Sequence, residues 1–199
     1  MRALGLLFLL SAGCAGQRAA IVGLYSRLIG QHRWDVERQM GVDFKWDSDD
    51  GKAAVYRAEL PTLFGIGPWT AFLYEDRDTL QVSKLEFHLM SGSGGKKPSR
   101  REVRSFAKKQ LKSLCKRYGN PLQYCTTVDG EKLRCFGPPV ITDINLDEVL
   151  RWSLWAIWVD ENRTLMVWYW AETRRDEFVV AYMPARVGLI FLGISQHSF

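Results

Sequence analysis

The spacing of apolar residues changes period along this chain, and each change marks an element. Between residues 17 and 30, Ala20, Ile21, Leu24, Leu28 and Ile29 recur as one face of a helix. They predict a short amphipathic helix, followed by a polar connector through His32, Asp35 and Glu37. From 42 to 60 the pattern becomes extended and is broken at Asp47, Ser48, Asp49, Asp50 and Gly51, a concentrated turn signal, so a pair of strands is expected. Gly65, Gly67 and Pro68 place a loop over 62–69, ahead of β-rich runs at 69–74 and 79–90 whose polar break at 75–78 predicts a hairpin. A second hairpin is predicted from 152–159 and 164–171, turning at 160–163. Ala71, Thr79, Leu80 and Val82 of the first hairpin match Ala156, Thr164, Leu165 and Val167 of the second without gaps. That reads either as a weak internal repeat or as two hairpins converging on similar turn chemistry. Two further apolar runs, 177–183 and 187–194, are separated by Pro184.

Between the hairpins the helical period returns. Ser99 and Glu102 have the spacing of a capping box, and Val103, Phe106, Ala107, Gln110, Leu111, Leu114, Cys115 and Tyr118 form one stripe. Gly119 and Pro121 supply the stop. The opposite face carries Arg101, Arg104, Lys108, Lys112 and Lys116. The expected fold is therefore α+β, an antiparallel sheet of hairpins, about six to eight strands, with one amphipathic basic helix packed on a face. Residues 1–16 are assigned to a signal peptide, 17–41 to an N-terminal helix and connector, and 42–199 to a single α+β domain.

Composition agrees with one folded domain. At 199 residues, with 47% apolar and 25% charged positions, the chain has the composition of a folded protein and can bury a core. Of its eight tryptophans, five fall within 152–170, so the second half holds much of that core. The net charge of +5 is uneven. Between 91 and 118 ten Lys or Arg stand against one acid, Glu102, so this segment carries +9 and the rest of the chain −4. Any electrostatic partner belongs at the basic helix.

The N-terminus reads as an export signal. Arg2 precedes an apolar stretch at 3–10 and a run of small residues at 11–16. A stretch of that length cannot span a bilayer, which takes about 20 residues. In Ser11, Ala12, Gly13 and Cys14, preceded by Leu9 and Leu10, the sequence resembles the lipobox of bacterial lipoproteins, with Ser11 standing where that motif usually has Leu. The resemblance implies acylation of Cys14 and, with Ala15 following it, passage to the outer membrane. The alternative is a plain secretory peptide cut after Gly13, Ala15 or Gly16. Either way the domain is expected where disulfides persist. Cys115, Cys125 and Cys135 remain; a bridge between Cys125 and Cys135 across the turn at Asp129 and Gly130 is expected to be feasible, with connectivity left open, and Cys115 on the apolar stripe suits a buried thiol.

Candidate chemistry is sparse. Glu86 and His88 lie two residues apart on a predicted strand and so share a face, as an acid–base pair or as solvated surface. Serine-hydrolase, P-loop and dinucleotide motifs are absent, and Asp43, Asp47, Asp49 and Asp50 lack EF-hand spacing and read as an acidic turn. No Cys pair has metal-ligand spacing, so no catalytic residue, metal site or cofactor is assigned. Asn162, Arg163 and Thr164 form a glycosylation acceptor pattern, of consequence only in a eukaryotic source.

The expected function is a non-catalytic binding or assembly role in the cell envelope, with a lipid anchor at Cys14. An acidic protein or anionic lipid would meet Arg101, Arg104, Lys108, Lys112 and Lys116. Export argues against nucleic acid as the partner. The alternatives are a small secreted hydrolase using Glu86 and His88, and an exported inhibitor or immunity-type binding protein.

Overall fold

The structure, a computed structural model, describes residues 25–92, 96–121, 123–128, 132–136, 153–159, 163–171 and 175–184, without the side chains of 123–128, 132–136, 159 and 163. The expected export signal, most of the first expected helix and the apolar run at 187–194 lie outside the described residues.

Among the described residues nine strands form one sheet, β1 (Lys45–Asp49), β2 (Ala53–Leu60), β3 (Trp69–Asp76), β4 (Val82–Met90), β5 (Gln123–Val128), β6 (Lys132–Phe136), β7 (Ser153–Val159), β8 (Arg163–Ala171) and β9 (Asp176–Pro184). Their spatial order is β1-β2-β3-β4-β9-β8-β7-β5-β6, and every neighbouring pair is antiparallel. The fold is thus α+β around an antiparallel sheet, with more strands than the sequence pattern suggested. Among the described residues it is accompanied by the helices α1 (Arg33–Met40) and α2 (Arg100–Tyr118). α2 connects β4 to β5, which sit four places apart in the sheet. At about 1.5 Å per residue its 19 residues reach roughly 28 Å, ample for the roughly 19 Å between those strands.

The alternation of each strand sorts its residues onto two faces. On one, Leu73, Leu85, Phe87, Leu89, Leu154, Val167, Tyr169, Phe178, Val180 and Tyr182 form a buried cluster with Val103, Phe106, Ala107, Leu111 and Leu114 of α2. The Phe106 ring meets Trp69 and Phe178 edge-on, at 5.6 and 5.5 Å between centroids. On the other face Ile157, Met166, Ala181 and Met183 are buried as a separate small cluster, with Trp168 packed against it.

The polar connector at His32 is in fact helical. α1 buries only Val36, so it has almost no apolar stripe to read; it is held by an Arg33–Glu37 ion pair at 2.6 Å and ends at Gly41, whose φ of 66° is left-handed. Leu28 and Val36 also belong to the same core cluster as the sheet, so residues 25–41 pack with it as one unit. Gly30 and Gln31 exchange backbone hydrogen bonds with Val82, and His32 bridges to Gln81. The turn of the β3–β4 hairpin begins at residue 77, two residues later than expected. Asp76 still pairs with β2, while its carboxylate accepts from the Asp78 and Thr79 amides, and Leu80 takes a left-handed φ of 55°. The acidic turn after β1 works similarly, with Asp49 accepting from Gly51 and Asp50 from Lys52 and Ala53, which holds the Asp50 carboxyl below its ordinary range.

Candidate functional site

Period-two alternation puts Glu86 and His88 on one face of β4, opposite the face that carries Leu85, Phe87 and Leu89 of the main core cluster. The register with β9, in which His88 faces Val179 and Met90 faces Glu177, brings Glu177 diagonally beside the imidazole. His88 Nδ1 lies 2.7 Å from Glu177 Oε1 and Nε2 lies 3.3 Å from Glu86 Oε2. From β3 the Tyr74 hydroxyl donates to Glu86 Oε2 at 2.9 Å, and Lys84 Nζ stands 3.1 Å from Glu86 Oε1 while lying 3.6 Å over the Tyr74 ring. Phe72 meets the imidazole edge-on at 5.0 Å. Burial disfavours charge on His88, yet the Glu177 and Glu86 hydrogen bonds outweigh it and raise its pKa. Burial likewise opposes charge on Glu86, and the His88 hydrogen bond with the nearby Lys84 holds its pKa down. Burial with the adjacent Glu86 carboxylate raises the Tyr74 phenol.

The arrangement sets one imidazole between two carboxylates, joining β4 to β9 in the middle of the sheet, and favours the form that donates from both ring nitrogens. In that form neither nitrogen is free to accept a proton, as a general base must. Because the carboxylates address opposite nitrogens, they do not converge with one nitrogen on a common ion, and no metal-binding group of three occurs among the described residues.

At the start of α2 the expected capping box is present, with Glu102 N donating to Ser99 Oγ at 3.3 Å and Ser99 N donating to Glu102 Oε2 at 2.7 Å. The Ser99 hydrogen bonds hold the Glu102 carboxyl below its usual range. The basic residues divide. Arg104 turns toward the sheet, reaching the Tyr169 hydroxyl at 3.3 Å and Asp176 Oδ2 at 3.4 Å, and Arg100 reaches Asp176 Oδ1 at 2.8 Å. Asp176, fully buried at the start of β9, also accepts from the Tyr169 hydroxyl, and its backbone exchanges hydrogen bonds with Ser91. Lys108 is half-buried, whereas Arg101, Lys112 and Lys116 are exposed, together with Lys109 and Arg117, which the sequence pattern had not placed on that face.

No family model matches the chain, and neither a curated protein nor a solved structure proves similar to it. The remaining assignments rest on the residues themselves. Cys125 and Cys135 stand directly opposite each other in the β5–β6 pairing. Cys115 is a half-buried thiol packed against the core cluster, where burial pushes its pKa up to about 11. Cys14 lies outside the described residues. Glu177 and Asp176, the two acids the sequence reading missed, act on residues 89 and 76 positions away, beyond any motif. The one available signal was an acidic pair opening an otherwise apolar strand. No described helix is long and apolar enough to cross a membrane.

Proposed function

We propose that this protein is an exported envelope component, lipid-anchored at Cys14 and non-catalytic. In this reading α2 serves as a basic amphipathic helix packed on one sheet face, and its outer side binds the anionic surface of a membrane. The observation that carries the reading is the division of cations along α2. Arg100 and Arg104 are spent on Asp176, which fixes the helix, while Arg101, Lys109, Lys112, Lys116 and Arg117 remain exposed. A rigidly held row of positive charge beside a lipid anchor combines the two weak signals that stable membrane attachment needs.

Two measurements test the two parts. Metabolic labelling with a clickable fatty acid is expected to mark the wild type and not Cys14→Ser; equal labelling overturns the anchor. Co-sedimentation of the unlipidated chain with vesicles rich in anionic phospholipid is expected to fall about tenfold or more for Lys112→Glu/Lys116→Glu, on the basis of about 1 kcal/mol per cation at such a surface. Binding that is equal on zwitterionic vesicles, or unchanged in the variant, removes the basic face from the function. Vesicle binding absent while an acidic protein co-purifies through the same lysines favours the inhibitor or immunity-type reading instead.

The hydrolase reading draws support from the meeting of Glu86, His88 and Glu177, and loses it at the ring, where both nitrogens are engaged by carboxylates. It requires a neutral imidazole that this clasp disfavours.

A further inference from the structure

We infer that Cys125 and Cys135 form a cross-strand disulfide that staples the outermost strand, β6, to the sheet. β6 ends the strand order, and its described pairing is with β5 alone. In that pairing the two cysteines are direct partners, flanked by Tyr124 with Phe136 and Thr126 with Arg134. Directly opposed residues in an antiparallel pair have Cα atoms about 4.5 to 5.5 Å apart. That separation falls inside the roughly 4.4 to 6.8 Å spanned by disulfides. Register thus brings the two backbones within the Cα reach of a bridge.

The same register excludes the third cysteine. Cys135 faces Cys125, Cys125 faces Trp155, Trp155 faces Trp168, Trp168 faces Val179, and Val179 faces His88, one row on a single sheet face. Cys115 belongs to α2 and packs against the main core cluster, which includes Leu85, Phe87 and Val180 of the opposite face. The sheet itself stands between Cys115 and the other two. Cys115 is also a poor nucleophile for exchange, since burial keeps it protonated.

The bridge forms by thiol–disulfide exchange with a small-molecule disulfide such as oxidised glutathione. One cysteine thiolate attacks it, giving a mixed disulfide and releasing one glutathione thiolate. The second cysteine thiolate then attacks the mixed disulfide and releases the second. Two protein thiols lose two protons and two electrons, and the glutathione disulfide is reduced to two thiols. The consequence is mechanical. A five-residue edge strand, which alone is prone to fraying and to pairing with other chains, becomes covalently part of the sheet.

The full-length reduced protein, incubated with oxidised glutathione and then alkylated without reductant, tests this apart from any question of export. Trypsin cuts after Lys132 and Arg134, so a bridge appears as peptides 118–132 and 135–151 joined, with the 113–116 peptide carrying alkylated Cys115. That pattern is expected, is retained in Cys115→Ala and is lost in Cys125→Ser. Hydrogen exchange of the β6 amides is expected to be at least tenfold slower in the oxidised than in the reduced protein. Full alkylation of Cys125 and Cys135, or linkage of Cys115 to either, overturns the assignment. Exchange in β6 unaffected by reduction overturns the stapling role.

Discussion

At the scale of single residues the decisive contacts are between charges. His88→Ala leaves the buried Glu86 carboxylate and Glu177 without the ring that neutralises them, and removing one member of a buried ionic cluster costs about 3 kcal/mol. The loss is expected as a lower denaturation midpoint near pH 6, just below the ordinary imidazole value of about 6.5. The pH dependence has two limbs. Because the folded His88 pKa is raised, its contribution is complete below the unfolded imidazole value and fades as pH rises through the raised one. Because the folded Glu86 pKa is lowered, its contribution is complete above the unfolded carboxyl value and fades as pH falls through the lowered one. Thermal melts across the acid-to-alkaline range should show both limbs in the wild type and a flattened alkaline limb in His88→Ala. A wild-type midpoint indifferent to pH through the imidazole range would remove the imidazolium from this account. That Glu86 and His88 share a face was legible from their spacing alone. Glu177 was not, since its approach depends on the pairing of β4 with β9.

At the scale of elements, what the sequence announced depended on how local the stabilising contacts are. The α2 capping box joins residues three apart, so it could be read directly, and Ser99→Ala is expected to cost about 1 kcal/mol in equilibrium denaturation. A cost near zero would mean that the Arg100 and Arg104 contacts with Asp176 hold the first turn unaided. α1 escaped notice because a helix with a single buried residue writes almost no periodicity. Its cap at Gly41 and its Arg33–Glu37 pair are real signals, but weak ones without an apolar stripe beside them. The β3–β4 turn was found to within a few residues, and its displacement follows from a side-chain acceptor, Asp76 continuing the strand while its carboxylate builds the turn. The division of the basic face was invisible for a related reason. Arg104 is separated from its exposed neighbours by its partner, Asp176, and not by its place on the helix.

At the scale of the whole molecule, the first four strands and the last five form one sheet through the single seam of β4 with β9. One core cluster runs beneath both parts and includes Leu28 and Val36, ahead of the first strand. Leu28→Ala is therefore expected to lower the midpoint of the whole cooperative transition, by about 3 kcal/mol as for other buried Leu truncations. Circular dichroism and tryptophan fluorescence should report the same shift. Fraying confined to residues 25–41, with the sheet transition unmoved, would show that the segment is an appendage.

The sequence by itself determined what is periodic or local, namely the α+β class, the hairpins, the limits of α2 and its cap, and the shared face of Glu86 and His88. Side-chain alternation and hydrogen bonds over three or four residues are properties of neighbouring positions, and neighbours are what a sequence records. Only the tertiary structure decided the strand order, the joining of Glu177 to His88, the diversion of Arg100 and Arg104 to Asp176, and the exact register that opposes Cys125 to Cys135. Each of these is set by which strands pair and in what register. That choice is made by burial of the shared core across the whole sheet, and it leaves no mark within the few residues on either side.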